Sequence, residues 1–151
     1  MWFTQFGSAQ IGRITPTGKV TEFGTGITAY SGPVGIAPGA DGDMWFAQYD
    51  GDQVGRITTG VPSAPRTLTA SPRDKAAVVS WVAPASAGAA AITHYRVTAA
   101  PGGRTCTTTG KHTCTVTRLK PHTAYRFRVT ASNRYGTGPS SAPSRAIIVR
   151  V

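Results

Sequence analysis

The stretch from Leu119 to Asn133 limits the possible folds most strongly, because it contains a complete strand and the approach to it. Two sets of side chains alternate along it: Tyr125, Phe127, Val129 and Ala131 in one, and Arg126, Arg128, Thr130 and Ser132 in the other. A period of two predicts a β-strand with one buried face and one face in water. The sequence therefore predicts a strand of a β-sandwich here.

The approach to this strand, Leu-Lys-Pro-His-Thr-Ala-Tyr, is typical of a tyrosine corner, in which the phenol reaches back to backbone a few residues upstream. Matching pieces lie around it in order: Pro62-Ser63-Ala64-Pro65 at the entry, Val79-Ser80-Trp81 for a second strand, Tyr95-Arg96-Val97 for a third, and the Gly-rich loop Asn133 to Ser140. Residues 61–151 therefore resemble a fibronectin type III domain. The resemblance implies an immunoglobulin-like β-sandwich.

Ten side chains are expected to fill the core between the two sheets of this sandwich, and they are Leu68, Val78, Trp81, Tyr95, Val97, Val116, Leu119, Tyr125, Phe127 and Val129. A core of this size is enough for about 90 residues to fold independently. The preceding segment, Thr59 to Pro65, holds two prolines and is expected to form a short, stiff linker. We therefore place a domain boundary near residue 60.

Residues 1–60 contain an internal repeat with a period of 43 residues. The hexapeptide that starts at Met1 recurs at Met44, and Ile11-Gly12-Arg13-Ile14-Thr15 recurs as Val54-Gly55-Arg56-Ile57-Thr58. Repeats of this length with several short strands are typical of β-propeller blades. The expected strands are Met1 to Gln5, Gln10 to Thr15, Lys19 to Phe23, Val34 to Ala37, Asp43 to Gln48 and Gln53 to Thr58.

The repeat also resembles a known family through four phrases: Gly-Pro-Val-Gly-Ile, Asp-Gly-Asp-Met-Trp-Phe, Val-Gly-Arg-Ile-Thr and Thr-Gly-Lys-Val-Thr-Glu-Phe. They look like the repeat of the virginiamycin B lyase family of propellers, which implies magnesium-assisted elimination that opens a streptogramin lactone. In that family a His follows the Pro of one blade's turn. Here Val34 occupies that place, and Gln48 and Tyr49 stand where a Glu would follow Trp-Phe. No catalytic or metal-binding residue is carried over, and no cofactor is expected.

About one and a half blades are present, whereas repeat architectures generally need about three units or more to be stable. We therefore expect that Met1 is an internal methionine of a longer reading frame, or that the gene is truncated, with further blades upstream. The alternative is that the two units pair as a small free-standing sheet. Trp2, Phe3, Trp45 and Phe46 are expected to be blade core residues, with a ligand-stacking platform as the alternative.

Cys106 and Cys114 are the two cysteines of the chain. Two facing strands around a turn at Gly110-Lys111 would place them opposite one another, so a disulfide is expected. A metal pair is the competing interpretation, but it needs two more ligands and His112 alone does not complete a zinc set. A disulfide indicates an oxidising compartment, so we expect an extracellular or cell-surface protein. Met1 leads directly into the first strand-like pattern, so we expect that a signal peptide was lost with the missing N-terminus.

The net charge of +10 is distributed unevenly. Residues 1–60 carry three basic and five acidic side chains, whereas residues 61–151 carry thirteen basic side chains and one acidic side chain, Asp74. Alternation predicts that Arg96, Arg126 and Arg128 share one face of the sandwich. This face is expected either to be a solvated surface or to bind an anionic wall polymer, polysaccharide or protein. Nucleic acid is not expected, because no aromatic residue is interleaved there.

The sequence thus predicts an all-β chain, in which a partial β-propeller is followed by a β-sandwich. Two classes of function are compatible with this prediction. The first is a non-catalytic binding or spacer fragment of a secreted, bacterial-type multidomain protein. The alternative is a fragment of a streptogramin lyase, or of a secreted polysaccharide-degrading glycosidase, whose catalytic part is missing. The sequence favours the first class, because His94, His112 and His122 lie near no carboxylate in sequence. No apolar run approaches the roughly 20 residues that a membrane span requires.

Overall fold

Short strands form all the regular structure of the chain apart from one 3-10 turn at Tyr49–Gly51. A computed structural model describes all residues 1–151. The strands are β1 (Trp2–Gln5), β2 (Gln10–Ile14), β3 (Val20–Phe23), β4 (Pro33–Pro38), β5 (Met44–Gln48), β6 (Gln53–Ile57), β7 (Arg66–Arg73), β8 (Ala76–Val82), β9 (His94–Ala100), β10 (Thr105–Thr108), β11 (Thr113–Thr117), β12 (Ala124–Asn133), β13 (Gly136–Thr137) and β14 (Ile147–Ile148). None of these elements is a helix long and apolar enough to cross a bilayer.

The chain divides into two units. The N-terminal unit comprises Met1–Gly39 and Asp43–Thr59, and the C-terminal unit comprises Ala40–Gly42 and Gly60–Val151. All ladders between neighbouring strands are antiparallel.

Two sheets enclose the core of the C-terminal unit. One sheet has the order β10-β9-β12-β13, with β14 also pairing with β12, and the other has the order β11-β8-β7. Thirteen buried apolar residues lie between them: Ala77, Val79, Trp81, Tyr95, Val97, Ala99, Val116, Leu119, Tyr125, Phe127, Val129, Ala131 and Val149. This is the sandwich that alternation along β12 predicts.

Three expectations for this unit are corrected. Val78 is not a core residue. The side chain of Trp81 points into the core, and because side chains alternate along β8, Val79 and Ala77 point the same way whereas Val78 does not. Leu68 is only partly buried against the core. Ser132, expected in water, is buried beside β13, where its Oγ lies 2.7 Å from Oγ1 of Thr137. The alternation along β12 therefore ends where the hairpin to β13 begins.

The approach to β12 forms the predicted tyrosine corner. The backbone N–H of Lys120 donates to Oη of Tyr125 at 3.0 Å. The Tyr125 ring is buried in the core, and its hydroxyl satisfies a backbone donor five residues upstream. This bond fixes the chain as it enters the strand that carries both Arg126 and Arg128.

The segment after β13 runs along β12 with two buried serines in place of a regular ladder. Oγ of Ser141 accepts from the N–H of Val129, and Oγ of Ser144 accepts from the N–H of Phe127, each at 3.0 Å. The two serine N–H groups donate back to the carbonyls of the same residues. Pro143 lies between the serines and has no N–H to offer a ladder. Side-chain hydrogen bonds therefore hold this proline-containing segment against β12.

The N-terminal unit contains two open three-stranded sheets, β1-β2-β3 and β4-β5-β6. All six predicted strands are present, with bounds that differ by one residue or less from the expected ones. The repeat extends to the cross-strand pairs: Trp2 faces Arg13 as Trp45 faces Arg56, and Phe3 faces Gly12 as Phe46 faces Gly55.

The same side-chain contacts hold these pairs in both sheets. The guanidinium carbon of Arg13 lies 5.7 Å from the Trp2 ring centre, and that of Arg56 lies 5.6 Å from the Trp45 ring centre, as in cation–π pairs. A Cβ on Gly12 or Gly55 would overlap the phenylalanine ring that covers it. Of the four aromatic residues expected in blade cores, Phe46 is buried, Trp2 and Phe3 are half-buried, and Trp45 is exposed.

Candidate anion-binding face

Arg96, Arg126 and Arg128 lie on the outer face of the sheet formed by β9 and β12. The register pairs Arg96 with Thr130, Arg128 with Thr98 and Arg126 with Ala100. All three arginines are exposed. In such a register, diagonal neighbours on one face are about 7–8 Å apart. We call this surface, defined by Arg96, Arg126 and Arg128, the arginine face.

Two of these arginines are held by the proline-containing segment beside β12. Nη1 of Arg128 donates to the carbonyl of Ser141 at 2.9 Å, and Nη1 of Arg126 donates to the carbonyl of Ser144 at 3.3 Å. A neutral carbonyl fixes the position of a guanidinium and leaves its charge in place. The edge formed by Nε and Nη2 remains on each side chain, and it is an edge that can bind a carboxylate or phosphate through two hydrogen bonds.

A groove lies between these two side chains. Its lining residues are Thr98, Ala100, Arg126, Arg128 and Pro143, and its volume is about 300 Å³. Thr98 and Ala100 come from β9, whereas Pro143 comes from the segment that the two serines hold in place. The groove therefore combines two cationic walls with small and apolar groups.

No carboxylate neutralises the arginine face, since none of its three arginines forms an ion pair. Asp74, the single acidic side chain of residues 61–151, lies at an isolated backbone β-bridge with Arg150 and forms no ion pair with these arginines. The positive charge is therefore available to a ligand. The sequence predicts the shared face of the arginines, whereas it gives no sign of their carbonyl tethers or of Pro143 in the groove.

Models of two known protein families match this chain. A model of the fibronectin type III domain matches residues 63–147, and a model of the virginiamycin B lyase family matches residues 1–94. Each match covers more than half of the chain. The chain belongs to both families. The matches overlap at residues 63–94, which in the structure belong to the C-terminal unit.

Solved structures resemble the fibronectin type III part. The titin kinase with its flanking domains is 32% identical over 59% of this chain, with a TM-score of 0.52. The twitchin kinase region of C. elegans is 25% identical over 60% of it, with a TM-score of 0.53. Titin domains A168-A170 cover 99% of it at 20% identity and a TM-score of 0.55, which shows the fold alone. This chain spans 17%, 17% and 53% of those three chains, respectively. No curated protein matches it.

The disulfide predicted between Cys106 and Cys114 is present in the fibronectin type III domain, with the two Cα atoms 6.2 Å apart. The two strands that carry them do not form one hydrogen-bonded hairpin, however. β10 pairs with β9 and β11 pairs with β8, so the two cysteines belong to different sheets. The disulfide therefore joins the two sheets of the sandwich and packs against its core.

The three histidines of the fibronectin type III domain are held in separate contacts. Nδ1 of His94 lies 3.1 Å from Oγ1 of Thr93, and Nε2 of His112 lies 3.2 Å from Oη of Tyr95. For His122 the contact is made by the backbone, whose N–H donates to the carbonyl of Val149. Burial raises the pKa of the Tyr95 phenol, so this hydroxyl stays protonated as it meets the exposed His112 ring. No group of three or more His, Cys, Asp or Glu side chains is placed to hold a metal ion.

At the positions where the lyase family has its catalytic residues, this chain has residues that lie in strands or form structural hydrogen bonds. Val34 lies in β4, where the lyase family would have its histidine. Gln48 is buried, and its Oε1 accepts from the N–H of Thr28 at 3.1 Å. Its repeat counterpart, Gln5, donates through Nε2 to Oε1 of Glu22 at 3.0 Å. These amides join loops and strands, and neither is a group that takes up a proton as a general base does.

Proposed function

We propose that this chain is a non-catalytic binding and spacer fragment of a secreted, bacterial-type multidomain protein. In it the fibronectin type III domain presents β-propeller blades to a surface or partner, and the arginine face binds an anionic polymer such as an acidic wall polymer or polysaccharide. Fibronectin type III domains such as those of the titin region are of the binding or spacer kind, which supports the first part. The disulfide supports an extracellular location.

The single observation that carries anion binding is the pair of tethered guanidinium groups beside the groove. Their separation along β12 is two residues, so both project from the same face. Because carbonyl tethers hold them before a ligand arrives, less side-chain freedom is lost on binding. Each can bind one acidic group of a polymer, while the apolar part of the groove contacts the chain between them.

The repeat supports the propeller part of the proposal. A shift of 43 residues aligns β1 with β5 and β2 with β6. The two sheets differ in their third strand, because β3 pairs with β2 in the first sheet and β4 pairs with β5 in the second. Combining the two sheets gives one unit of four strands in the order β4, β5, β6 and a counterpart of β3. Four antiparallel strands in a repeat of about 40–45 residues are the composition of a propeller blade.

A lyase or glycosidase fragment is the second candidate, and the family match of residues 1–94 favours the lyase form of it. Val34, Gln48 and Tyr49 argue against catalysis by the two repeats of this chain. Opening of a streptogramin lactone in the presence of Mg²⁺ by the purified chain would support the lyase over the binding module. Absence of turnover together with polymer retention would support the binding module.

The test of anion binding is retention on immobilised heparin or purified wall polymer at increasing salt. Exposed charges are screened over about 8–10 Å at ordinary ionic strength, so retention should fall steeply with salt. Arg126→Ser with Arg128→Ser should lower the eluting salt concentration more than the matched control, Arg66→Ser with Arg73→Ser. Both pairs remove two positive charges from one strand, and Arg66 is also tethered, through Nε to the carbonyl of Ala83. Equal losses would mean that the domain is basic on all sides without a specific face.

A double variant that conserves charge would separate charge from shape. Arg126→Lys with Arg128→Lys keeps both charges but removes the planar fork and the Nη1 tethers. If the groove recognises acidic groups through paired hydrogen bonds, this variant should elute between the wild type and the serine variant. Elution together with the wild type would reduce the proposal to long-range attraction.

A further inference from the structure

The two tethered arginines of the arginine face are held at a set distance along β12. Arg126 and Arg128 are two residues apart in an extended strand, so about 7 Å separates their Cα atoms. Both side chains leave the strand on the same side, and the carbonyls of Ser144 and Ser141 hold their Nη1 atoms. Because both guanidinium groups are held, their separation favours ligands whose acidic groups have a matching spacing.

Arg96 continues this spacing to a third positive charge. It lies on β9 opposite Thr130, which makes it the diagonal neighbour of Arg128 on the same face. Diagonal neighbours in such a register are about 7–8 Å apart, close to the separation of Arg126 from Arg128. The arginine face therefore offers three cations in nearly even steps, and none of them forms an ion pair.

The surface beside these charges is narrow and lined by small groups. On β9, Ala100 lies opposite Arg126 and Thr98 lies opposite Arg128, while Pro143 closes the groove on the other side of β12. Small side chains at the two β9 positions leave room for a thin, unbranched chain between the arginines. The hydroxyl of Thr98 can both donate and accept a hydrogen bond there.

The same face has further hydroxyl groups and no large aromatic ring. Thr105 of β10 lies opposite Thr98, and both are exposed. The aromatic rings of Tyr95, Tyr125 and Phe127 are buried in the core. The strands that carry the three arginines therefore present hydroxyls to a ligand, but no phenyl or phenol ring on which a base or a sugar could stack.

We propose that the arginine face binds an unbranched phosphodiester polymer of a short polyol, of the poly(glycerol phosphate) type. Successive phosphorus atoms of such a polymer are joined by as many covalent bonds as the Cα atoms of residues i and i+2, so its extended repeat is also about 7 Å. Each phosphodiester accepts two hydrogen bonds from the free edge of one guanidinium, and the polyol lies in the groove against Thr98. This inference rests on the anion-binding function proposed above and names its ligand class.

Two other polyanions match this face less well. In an extended polyuronate with two-fold symmetry, neighbouring sugars face opposite ways, so carboxylates on one side are separated by two rings, farther apart than Arg126 and Arg128. Single-stranded nucleic acid has the phosphate spacing of poly(glycerol phosphate), but its bases gain binding energy by stacking on aromatic side chains. The face lacks such side chains, so the plain polyol is favoured.

The test measures Kd by isothermal titration calorimetry with the full chain and four synthetic oligomers of equal charge. They are oligo(glycerol phosphate), oligo(ribitol phosphate), oligoglucuronate and oligothymidylate. The glycerol oligomer should bind at least about tenfold more tightly than the ribitol oligomer, because a longer polyol prevents adjacent phosphates from binding both arginines at once. Equal affinity for these two oligomers would overturn the proposal. Tighter binding of oligoglucuronate or of oligothymidylate would overturn it in favour of a polyuronate or of nucleic acid.

Two variants of Thr98 test whether the polyol occupies the groove. Thr98→Leu narrows the groove without changing the charge, so affinity for the glycerol oligomer should fall about tenfold. Thr115→Leu is the matched control, because it places the same side chain at an exposed position of β11 in the other sheet, and its affinity should equal that of the wild type. Thr98→Val keeps the shape of the strand and removes the hydroxyl, so it should also weaken binding. Wild-type affinity in both Thr98 variants would contradict binding in the groove.

Retention on heparin keeps this proposal apart from the anion-binding function on which it rests. If Arg126→Ser with Arg128→Ser lowers retention while the glycerol and ribitol oligomers bind equally, the face binds anions and only the ligand class is wrong. If neither retention nor oligomer binding depends on Arg126 and Arg128, the anion-binding function itself is contradicted.

Discussion

The N-terminal and C-terminal units are both made of short antiparallel strands, yet they bury their side chains very differently. The C-terminal unit places thirteen buried apolar residues between two sheets. In the N-terminal unit the buried apolar residues are Ile11, Met44 and Phe46, while Phe6, Tyr30, Tyr49 and Val54 are more than half exposed. The difference shows that alternation alone does not stabilise a strand: a second layer must cover its apolar face.

The comparison also explains why the candidate functional surface lies on the C-terminal unit. In the sandwich, the inner faces are filled, so the outer face of β9 and β12 is free to present Arg96, Arg126 and Arg128. In the N-terminal unit the sheets are open and their exposed apolar residues lie on surfaces that repeat architectures cover with neighbouring units. We therefore propose that its exposed residues are covered by further strands, and that those of the sandwich contact a ligand.

The strongest way to break this comparison is to separate the units. A fragment of residues 61–151 should unfold in one cooperative transition, with a free energy of unfolding of about 5 kcal/mol or more. A fragment of residues 1–60 should show no cooperative transition, because few of its apolar side chains are buried. Thermal and urea unfolding followed by circular dichroism measure both. A sharp transition from the 1–60 fragment would show that the two open sheets are stable without further units.

Removing the disulfide should sharpen the comparison, because the bond joins the two sheets of one unit only. Cys106→Ser with Cys114→Ser should lower the free energy of unfolding of the C-terminal unit by roughly 2–3 kcal/mol, the entropy that a short closed loop removes from the unfolded chain. Urea unfolding gives this value, and amide exchange in β1 to β6 should stay unchanged.

Thiol counting under denaturing conditions is the companion measurement. Non-reduced protein purified from an oxidising compartment should contain no reactive thiol. Two reactive thiols per chain, or a serine variant as stable as the wild type, would show that the bond between the sheets does not form or does not contribute.

The smallest expected effect comes from the tyrosine corner. Tyr125→Phe removes the acceptor of the Lys120 N–H, so the free energy of unfolding should fall by about 1 kcal/mol. Tyr95→Phe is the matched control, because it also removes one buried hydroxyl, but the exposed His112 ring can then bond to water. Urea unfolding of both variants tests the difference. A larger loss from Tyr95→Phe would mean that the corner does not stabilise the entry to β12.

Local patterns predict much of this molecule. Alternation identifies β12 and its buried side, the repeat gives all six strands of the N-terminal unit to within one residue, and the Leu-x-Pro-x-Thr-x-Tyr spacing gives the corner at Tyr125. The shared face of Arg96, Arg126 and Arg128 follows from parity and from the neighbouring positions of β9 and β12. The prediction of Val78 as a core residue is wrong, because both sides of β8 carry apolar residues and alternation there does not distinguish them.

The sequence by itself determined the strands of the repeat and of β12 and, where apolar and polar residues alternate as they do in β12, which side is buried, because those properties repeat within a few residues of one another. Only the tertiary structure decided which strands become neighbours. The cysteines lie eight residues apart, yet they join different sheets, since β10 and β11 find their partners in β9 and β8. Pro143 and the carbonyls of Ser141 and Ser144 reach the arginine face from beyond β13. A period of two indicates that a strand has one buried face, but it does not identify the neighbouring strand. Many strands could pair equally well, and the packing of the whole chain selects among them.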